Sequence, residues 1–170
     1  KTTATNIAEH EEFIKSNLKD SMGAVYFTIS SEMSSNNNYA NVAAEEFENV
    51  YVIDSRNLST GISLLVLKAV ELAQNGEDAE TIYNKIIETI DKVNASFVID
   101  TLLYLHKGGR CSAVAAFGAN LLQLKPCITV RDGKMGVGKK YRGKFASVLP
   151  KYIEDLVLAY RFRSFQIFLL

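Results

Sequence analysis

The sequence predicts an α/β fold, a layered parallel sheet with flanking helices, followed by part of a second α/β lobe. Three observations carry this expectation. Short β-branched and aromatic runs, Ala24–Ile29, Val50–Ile53 and Ala95–Ile99, alternate with helical patterns of about 10–15 residues, the rhythm of parallel strands joined by crossover helices. Those runs are apolar enough to be buried on both faces, as strands of a covered parallel sheet are. After Pro126 the rhythm changes, and Asp132-Gly133 separates two short strand-like runs in the manner of a hairpin.

The elements follow in order. Asn6 to Asp20 reads as a helix with Ile7, Phe13, Ile14 and Leu18 as its apolar stripe, capped by Thr5 or Asn6. Gly23 breaks the chain before the Ala24–Ile29 strand. Tyr39 to Phe47 reads as a second helix, leading into the Val50–Ile53 strand. Ile62 to Asn75 is a third helix, stopped by Gly76 in the position where helices end on glycine. Asp78 starts a fourth, with Ile82, Ile86, Ile87 and Ile90 toward one side. The Ala95–Ile99 strand comes next, then an apolar run that ends in Lys107-Gly108-Gly109-Arg110 and a small-residue helix. Cys127–Val130 and Lys134–Val137 flank the turn, and Phe145–Tyr160 is helical despite Pro150. Phe165–Leu170 is apolar and strand-like, and reads as cut off. The division expected is residues 1–100 for the first lobe and 101–170 for part of the second.

Composition narrows the function classes. The 170 residues carry 19 basic and 19 acidic side chains, and 48% are hydrophobic. A neutral chain disfavours nucleic acid as a partner, which rewards a basic surplus. No apolar run reaches the roughly 18–20 residues of a membrane span. The first residues, Lys1-Thr2-Thr3-Ala4-Thr5-Asn6, lack the apolar core of a secretory signal. Cys111 and Cys127 sit in apolar surroundings, without disulfide-scaffold or metal-ligand spacing, and His10 and His106 form no ligand motif. A reducing cytoplasm fits, with no metal and no cofactor expected.

Three places have the right residue types for chemistry. Ser30-Ser31-Glu32-Met33-Ser34-Ser35 follows a buried parallel strand. Ligands bind beyond the carboxyl ends of such strands, where hydroxyls and backbone N–H groups can hold a carboxylate or phosphate. The bland alternative is a serine-rich turn before a helix. Asp54-Ser55 also ends a strand, so Asp54 is either a catalytic carboxylate or a helix cap. Lys107-Gly108-Gly109-Arg110 places two cations beside a helix start, an invitation to an anion, or else is a solvated turn.

These segments together resemble the DegV family of bacterial fatty-acid-binding proteins. Thr2-Thr3-Ala4-Thr5 is similar to a degraded form of the family's Thr-Ser-Gln-Pro motif. Ser30-Ser31-Glu32-Met33-Ser34-Ser35-Asn36 resembles its Ser-Ser-x-Leu-Ser-Gly-Thr, with Gly and Thr replaced. Asp54-Ser55-Arg56-Asn57-Leu58-Ser59-Thr60-Gly61 matches Asp-Ser-x-x-x-Ser-x-Gly in order and spacing. Leu105-His106-Lys107-Gly108-Gly109-Arg110, Leu122-Gln123-Leu124-Lys125-Pro126 and Asp132-Gly133 match the family's later motifs, and Arg142 resembles a basic position beyond the turn.

The resemblance implies a lipid carrier and no enzyme. A long-chain fatty acid would lie in a cleft between two lobes and present its carboxylate to a separate fatty acid kinase. It implies hydroxyls of Thr2, Thr3, Ser31 and Ser34 at the carboxylate, and Leu58, Ile62, Phe117 and Leu121 along the tail. Arg110 and Arg142 would serve the anion or the partner, and contact with a membrane surface would be transient. Family members open with an earlier strand and helix and close with a glycine-rich, histidine-bearing segment. The chain therefore reads as a fragment or a short member. The rival reading is a phosphotransferase or kinase-like enzyme on a related α/β scaffold, with Asp54 or His106 as base or phosphate acceptor. No Walker loop or Mg²⁺-binding carboxylate cluster supports it.

Overall fold

A computed structural model describes residues 3–18, 22–109 and 124–160. The chain divides into two units, Lys1–Ala95 with Asp132–Lys134, and Ser96–Arg131 with Met135–Leu170. The small-residue helix expected after Arg110 and the terminal run Phe165–Leu170 lie outside the described residues, as do Thr2, Arg110, Cys111, Phe117 and Leu121.

The first unit is a parallel pair of strands covered on both faces. Helix α1 (Ile7–Leu18) opens with a reciprocal cap. Asn6 Oδ1 accepts from Glu9 N at 3.0 Å, and Glu9 Oε2 accepts from Asn6 N at 2.9 Å. This pairing satisfies two N–H groups that a helix start leaves open. Strand β1 (Ala24–Thr28) pairs in parallel with β2 (Val50–Asp54), in a register that sets Thr28 beside Asp54.

Strand alternation sorts the core. Val25, Phe27 and Ile53 pack with Leu65, Ala69 and Leu72 of α3 (Thr60–Gln74) and Ile82 and Ile86 of α4 (Ala79–Ile87). Tyr26, Val50 and Val52 face the other way, against Ile7 and Ile14 of α1 and Ala43 and Ala44 of α2 (Asn36–Ala44). The side chains of successive strand residues therefore serve two different helix layers. Gly76, at φ 86, follows α3, and Asp78 caps α4 by accepting from Thr81 N at 2.8 Å. A 3₁₀ turn, Ile90–Lys92, closes the unit's helical part.

The second unit holds a three-stranded sheet in the order β3 (Ala95–Val98), β4 (Leu124–Arg131), β5 (Lys134–Arg142). Asp132 and Gly133 join the last two strands, both with positive φ, 51 and 77, as a two-residue hairpin turn requires. Leu102 and Ile128 are buried with Phe97, Ile99, Leu105, Met135 and Val137. Cys127, Tyr141, Val148 and Tyr152 form a separate cluster with Val98, Ile153 and Leu156. Val148, Tyr152, Ile153 and Leu156 belong to α6 (Phe145–Tyr160), which runs through Pro150. Proline supplies no N–H there, so the carbonyl one turn earlier goes without its usual helical donor.

Several boundaries among the described residues differ from the sequence expectation, and three of the differences are informative. Helix α2 covers Asn36–Ala44 where Tyr39–Phe47 was expected. Three consecutive asparagines are poor helix formers, yet they occupy its first turn because tertiary bonds hold them. Strand β5 extends to Arg142, past the expected Val137, because β4 offers a ladder along its length. The run before the paired glycines is a short helix, α5 (Leu103–Gly108), with Gly109 at φ 68 closing it.

Candidate functional site

The carboxyl ends of β1 and β2 carry two loops that are bonded to each other. Ser55 N donates to Thr28 O at 3.3 Å, and Ser30 N donates to Asn57 O at 3.0 Å. Ser31 reaches across to Asp54 twice, with its N on Oδ1 at 3.2 Å and its Oγ on Oδ2 at 2.5 Å. Asp54 Oδ1 also accepts from Arg56 N at 2.9 Å. Asp54 is therefore an acceptor for three donors and caps the turn after its own strand. Arg56 takes φ 48 and Ser59 φ 47, so this loop holds two side-chain-bearing residues in the left-handed region. Such strain persists only where surrounding bonds over-determine the backbone.

Buried small polar groups supply those bonds. Ser30 is fully buried; its Oγ donates to Gly133 O at 2.7 Å and accepts from Glu32 N at 3.3 Å. A Cβ on Gly133 would lie 2.6 Å from Ser30 Oγ, so the turn residue is glycine for space as well as for φ. Ser55, also fully buried, donates to Asn57 O at 3.1 Å. Asn57 is 3% exposed; its Oδ1 accepts from Leu58 N at 3.0 Å and its Nδ2 reaches Val93 O at 3.4 Å. Asn57 touches the start of α3 so closely that a Cβ on Gly61 would sit 2.1 Å from its Oδ1.

Ser34 closes the other side. Its N donates to Ser30 O at 3.2 Å, and its Oγ accepts from Asn36 N at 3.2 Å. Asn36 Oδ1 accepts from Thr5 N at 3.2 Å, which brings the segment before α1 to the start of α2. Asn37 Nδ2 donates to Thr28 Oγ1 at 3.0 Å, and Thr28 Oγ1 donates to Ile53 O at 3.2 Å. Lys134 Nζ lies 3.1 Å from Glu32 Oε2.

The structure thus brings Ser31, Ser34, Leu58 and Ile62 into one unit, on the loops after β1 and β2 and the first turn of α3. Ser31 is exposed, while Ser34, Leu58 and Ile62 are half-buried. Thr3 is exposed in the segment before α1. Arg142 is exposed at the end of β5, and His106 is exposed in the last turn of α5. Lys107 stands in that same last turn of α5, and the helix start expected after Arg110 lies outside the described residues. Among the described residues no group of three or more His, Cys, Asp or Glu side chains is placed to hold a metal ion.

Sequence reasoning singled out Ser31, Ser34 and Asp54, counted Ser30 only as one of a run of hydroxyls, and gave no individual role to Asn36, Asn37, Asn57 or Gly61. The signal for two of them was present. Asn57 and Gly61 lie four residues apart in the Asp54–Gly61 segment, and a buried amide facing a glycine at the start of a helix is one reason for such spacing.

An open α/β unit whose polar groups gather at the carboxyl ends of parallel strands is a ligand-binding architecture. The chain belongs to the DegV family: the family described as "Uncharacterised protein, DegV family" matches residues 1–160. A DegV domain-containing protein of Clostridium acetobutylicum is 40% identical over 142 residues, covering 81% of this chain and 51% of its own length. A protein of Thermotoga maritima named fatty acid-binding protein is 30% identical over 161 residues, covering 92% of this chain and 54% of its own. The solved structure of a DegV family protein from Thermus thermophilus, described by its fatty acid binding, superimposes with a TM-score of 0.78. It is 27% identical, covering 94% of this chain and 55% of that one. The chain spans about half the length of the curated relatives it matches. Among the described residues no helix is long and apolar enough to cross a membrane.

Proposed function

We propose that this chain forms part of a carrier that binds a long-chain fatty acid and presents its carboxylate to a separate fatty acid kinase. The observation that carries the reading is the polar cluster at the ends of β1 and β2, in a chain whose family relatives are described as fatty-acid-binding. Hydroxyls of Thr2, Thr3, Ser31 and Ser34 surround the carboxylate. Leu58, Ile62, Phe117 and Leu121 lie along the tail. Arg110 and Arg142 offer charge to the anion or to the kinase.

Burial of the tail drives binding. Each CH₂ removed from water is worth about 0.8 kcal/mol, so a long tail supplies on the order of 10 kcal/mol gross. The head group then fixes direction, with hydroxyl and N–H donors standing in for a full counter-charge. The chemistry belongs to the kinase, and the carrier works in the cytoplasm without a cofactor. Asp54 supports this over the phosphotransferase reading, because three donors from its own two loops already occupy it.

Native mass spectrometry of the full-length protein purified from bacteria tests the reading. The expected result is an added mass equal to a long-chain fatty acid. Protein that carries no such mass, and takes up none after delipidation and incubation with oleate, overturns it.

A further inference from the structure

Ser31 has one hydroxyl proton, and that proton is committed. Its Oγ donates to Asp54 Oδ2 at 2.5 Å while its N donates to Asp54 Oδ1 at 3.2 Å. What the Ser31 oxygen presents to anything approaching from solvent is a lone pair. Behind it stands a carboxylate whose bonded partners are N–H and O–H groups of Ser31 and Arg56. Among the described residues Asp54 forms no ion pair with a lysine or arginine. An ionised ligand carboxylate brought to this hydroxyl meets an acceptor backed by a like charge.

We infer that Asp54 is a positioning residue that limits carboxylate affinity by holding the Ser31 hydroxyl as an acceptor toward the ligand. The inference rests on the fatty-acid reading and deepens it: Asp54 makes the site discriminate against an ionised head group relative to a neutral one. A carrier that must hand its cargo on gains from such a restraint, since release requires that the head group is not held too firmly.

Asp54→Asn isolates the effect. The Asn oxygen retains the place of Oδ1 and still accepts from Ser31 N and Arg56 N. The Asn amide replaces Oδ2 and donates to Ser31 Oγ, so the hydroxyl proton turns outward and becomes available to the ligand. The substitution also removes one negative charge beside the head group. A carboxylate ligand gains on both counts. A neutral long-chain alcohol, which can donate to Ser31 Oγ in either form, gains little.

The experiment measures binding of oleate and of oleyl alcohol at pH 7.5 to full-length wild type, Asp54→Asn, Ser31→Ala and the double variant, with melting temperatures as a check on folding. The expected result is that Asp54→Asn binds oleate roughly tenfold tighter and changes oleyl alcohol by less than about twofold, and that the double variant keeps only the part of the gain that comes from removing the charge. Ser31→Ala alone is expected to weaken oleyl alcohol, which loses the oxygen it donates to, more than it weakens oleate, to which a hydroxyl bonded to Asp54 offers no proton. Equal changes for both ligands in Asp54→Asn mean a merely structural residue and overturn the inference. So does a roughly tenfold loss of oleate in Ser31→Ala, a readout that stands even if the Asp54 variant does not fold. Wild type that binds neither ligand overturns the fatty-acid reading, and the inference with it. Wild type that binds both without the selective gain overturns the inference alone.

Discussion

The two units bury polar groups in different ways. In the first, the buried polar side chains are short: Thr28, Ser30, Ser55 and Asn57, gathered where β1 and β2 end, with His10 against Tyr26 on the other side of the sheet. In the second, phenols do this work. Tyr152 OH donates to Ser96 O at 2.8 Å, and Tyr141 OH donates to Asp155 Oδ2 at 2.6 Å. Short polar groups bonded to backbone fix the course of a loop, whereas a phenol at the end of a ring ties a helix to a sheet. The contrast separates a site from a staple. Charge divides the same way. The first unit has eight basic and sixteen acidic residues, the second eleven and three, so the neutrality of the whole chain is a cancellation. Electrostatic arguments about partners therefore belong to each unit by itself.

The largest effect expected is at Gly61. A methyl group there would meet Asn57 Oδ1 at 2.1 Å and Cγ at 2.3 Å, and Asn57 is too buried to swing aside. Gly61→Ala should cost roughly 2–3 kcal/mol, the upper part of the range for overpacking a tight site. Denaturant unfolding measures it. Adding Asn57→Ala should recover part of the loss, since the second change removes the atoms the first collides with. If Gly61→Ala unfolds at the wild-type midpoint, the first unit's loops are not the rigid frame described here.

The matching change in the second unit is smaller. The Tyr152 phenol has one proton, and it goes to Ser96 O; the 2.8 Å contact with Ser96 Oγ is then a bond donated by the serine. Tyr152→Phe removes both and keeps the ring in its cluster with Tyr141 and Val148. The cost should be about 1–2 kcal/mol, with fatty-acid affinity per folded molecule unchanged. A binding defect larger than the stability defect would show that this staple belongs to the site after all.

Much of the fold was legible because local chemistry and tertiary structure agree. Asn6, Gly76, Asp78 and Asp132-Gly133 each mark a boundary by a mechanism that acts within a few residues, and each does so in the structure. The apolar runs became β1, β2 and β3. What sequence alone could not show were features set by partners far along the chain. Asn36 begins α2 although asparagine favours turns, because Thr5 and Ser34, respectively 31 and 2 residues away, bond to it. Ser31 and Asp54 are 23 residues apart, and only the parallel register of β1 and β2 brings their loops together. The site's residue types were legible, therefore, while the direction of its hydrogen bonds was not. A serine in a motif is read as a donor to ligand, but where its proton goes depends on a neighbour from another strand.

The smallest effect expected comes from the second unit's other phenol, and pH reveals it. Tyr141 OH and Lys139 Nζ both donate to Asp155 Oδ2 at 2.6 Å. The lysine bond and then the tyrosine bond hold the Asp155 carboxyl below its ordinary range. Burial, then the hydrogen bond to Asp155, push the Tyr141 phenol above its ordinary range. The Tyr141–Asp155 bond needs a protonated phenol and an ionised carboxylate at once, so its contribution is bounded on both sides. A lowered carboxylate contributes stability that is present above its ordinary pKa and lost as pH falls through the lowered one. A raised phenol contributes stability that is present below about pH 10 and lost as pH climbs toward the raised value. Thermal melting of wild type and Tyr141→Phe, measured from about pH 3 to pH 11, should give a difference that is largest near neutrality and shrinks at both ends. The acid arm should be the shallower one in the comparison, because Lys139 still holds Asp155 in the variant. Asp155→Asn should flatten the acid arm further and lower the alkaline one less, since burial of Tyr141 acts without the carboxylate. A difference that stays constant over the whole range would mean that the ring of Tyr141, and not its hydroxyl, is what ties α6 to the sheet.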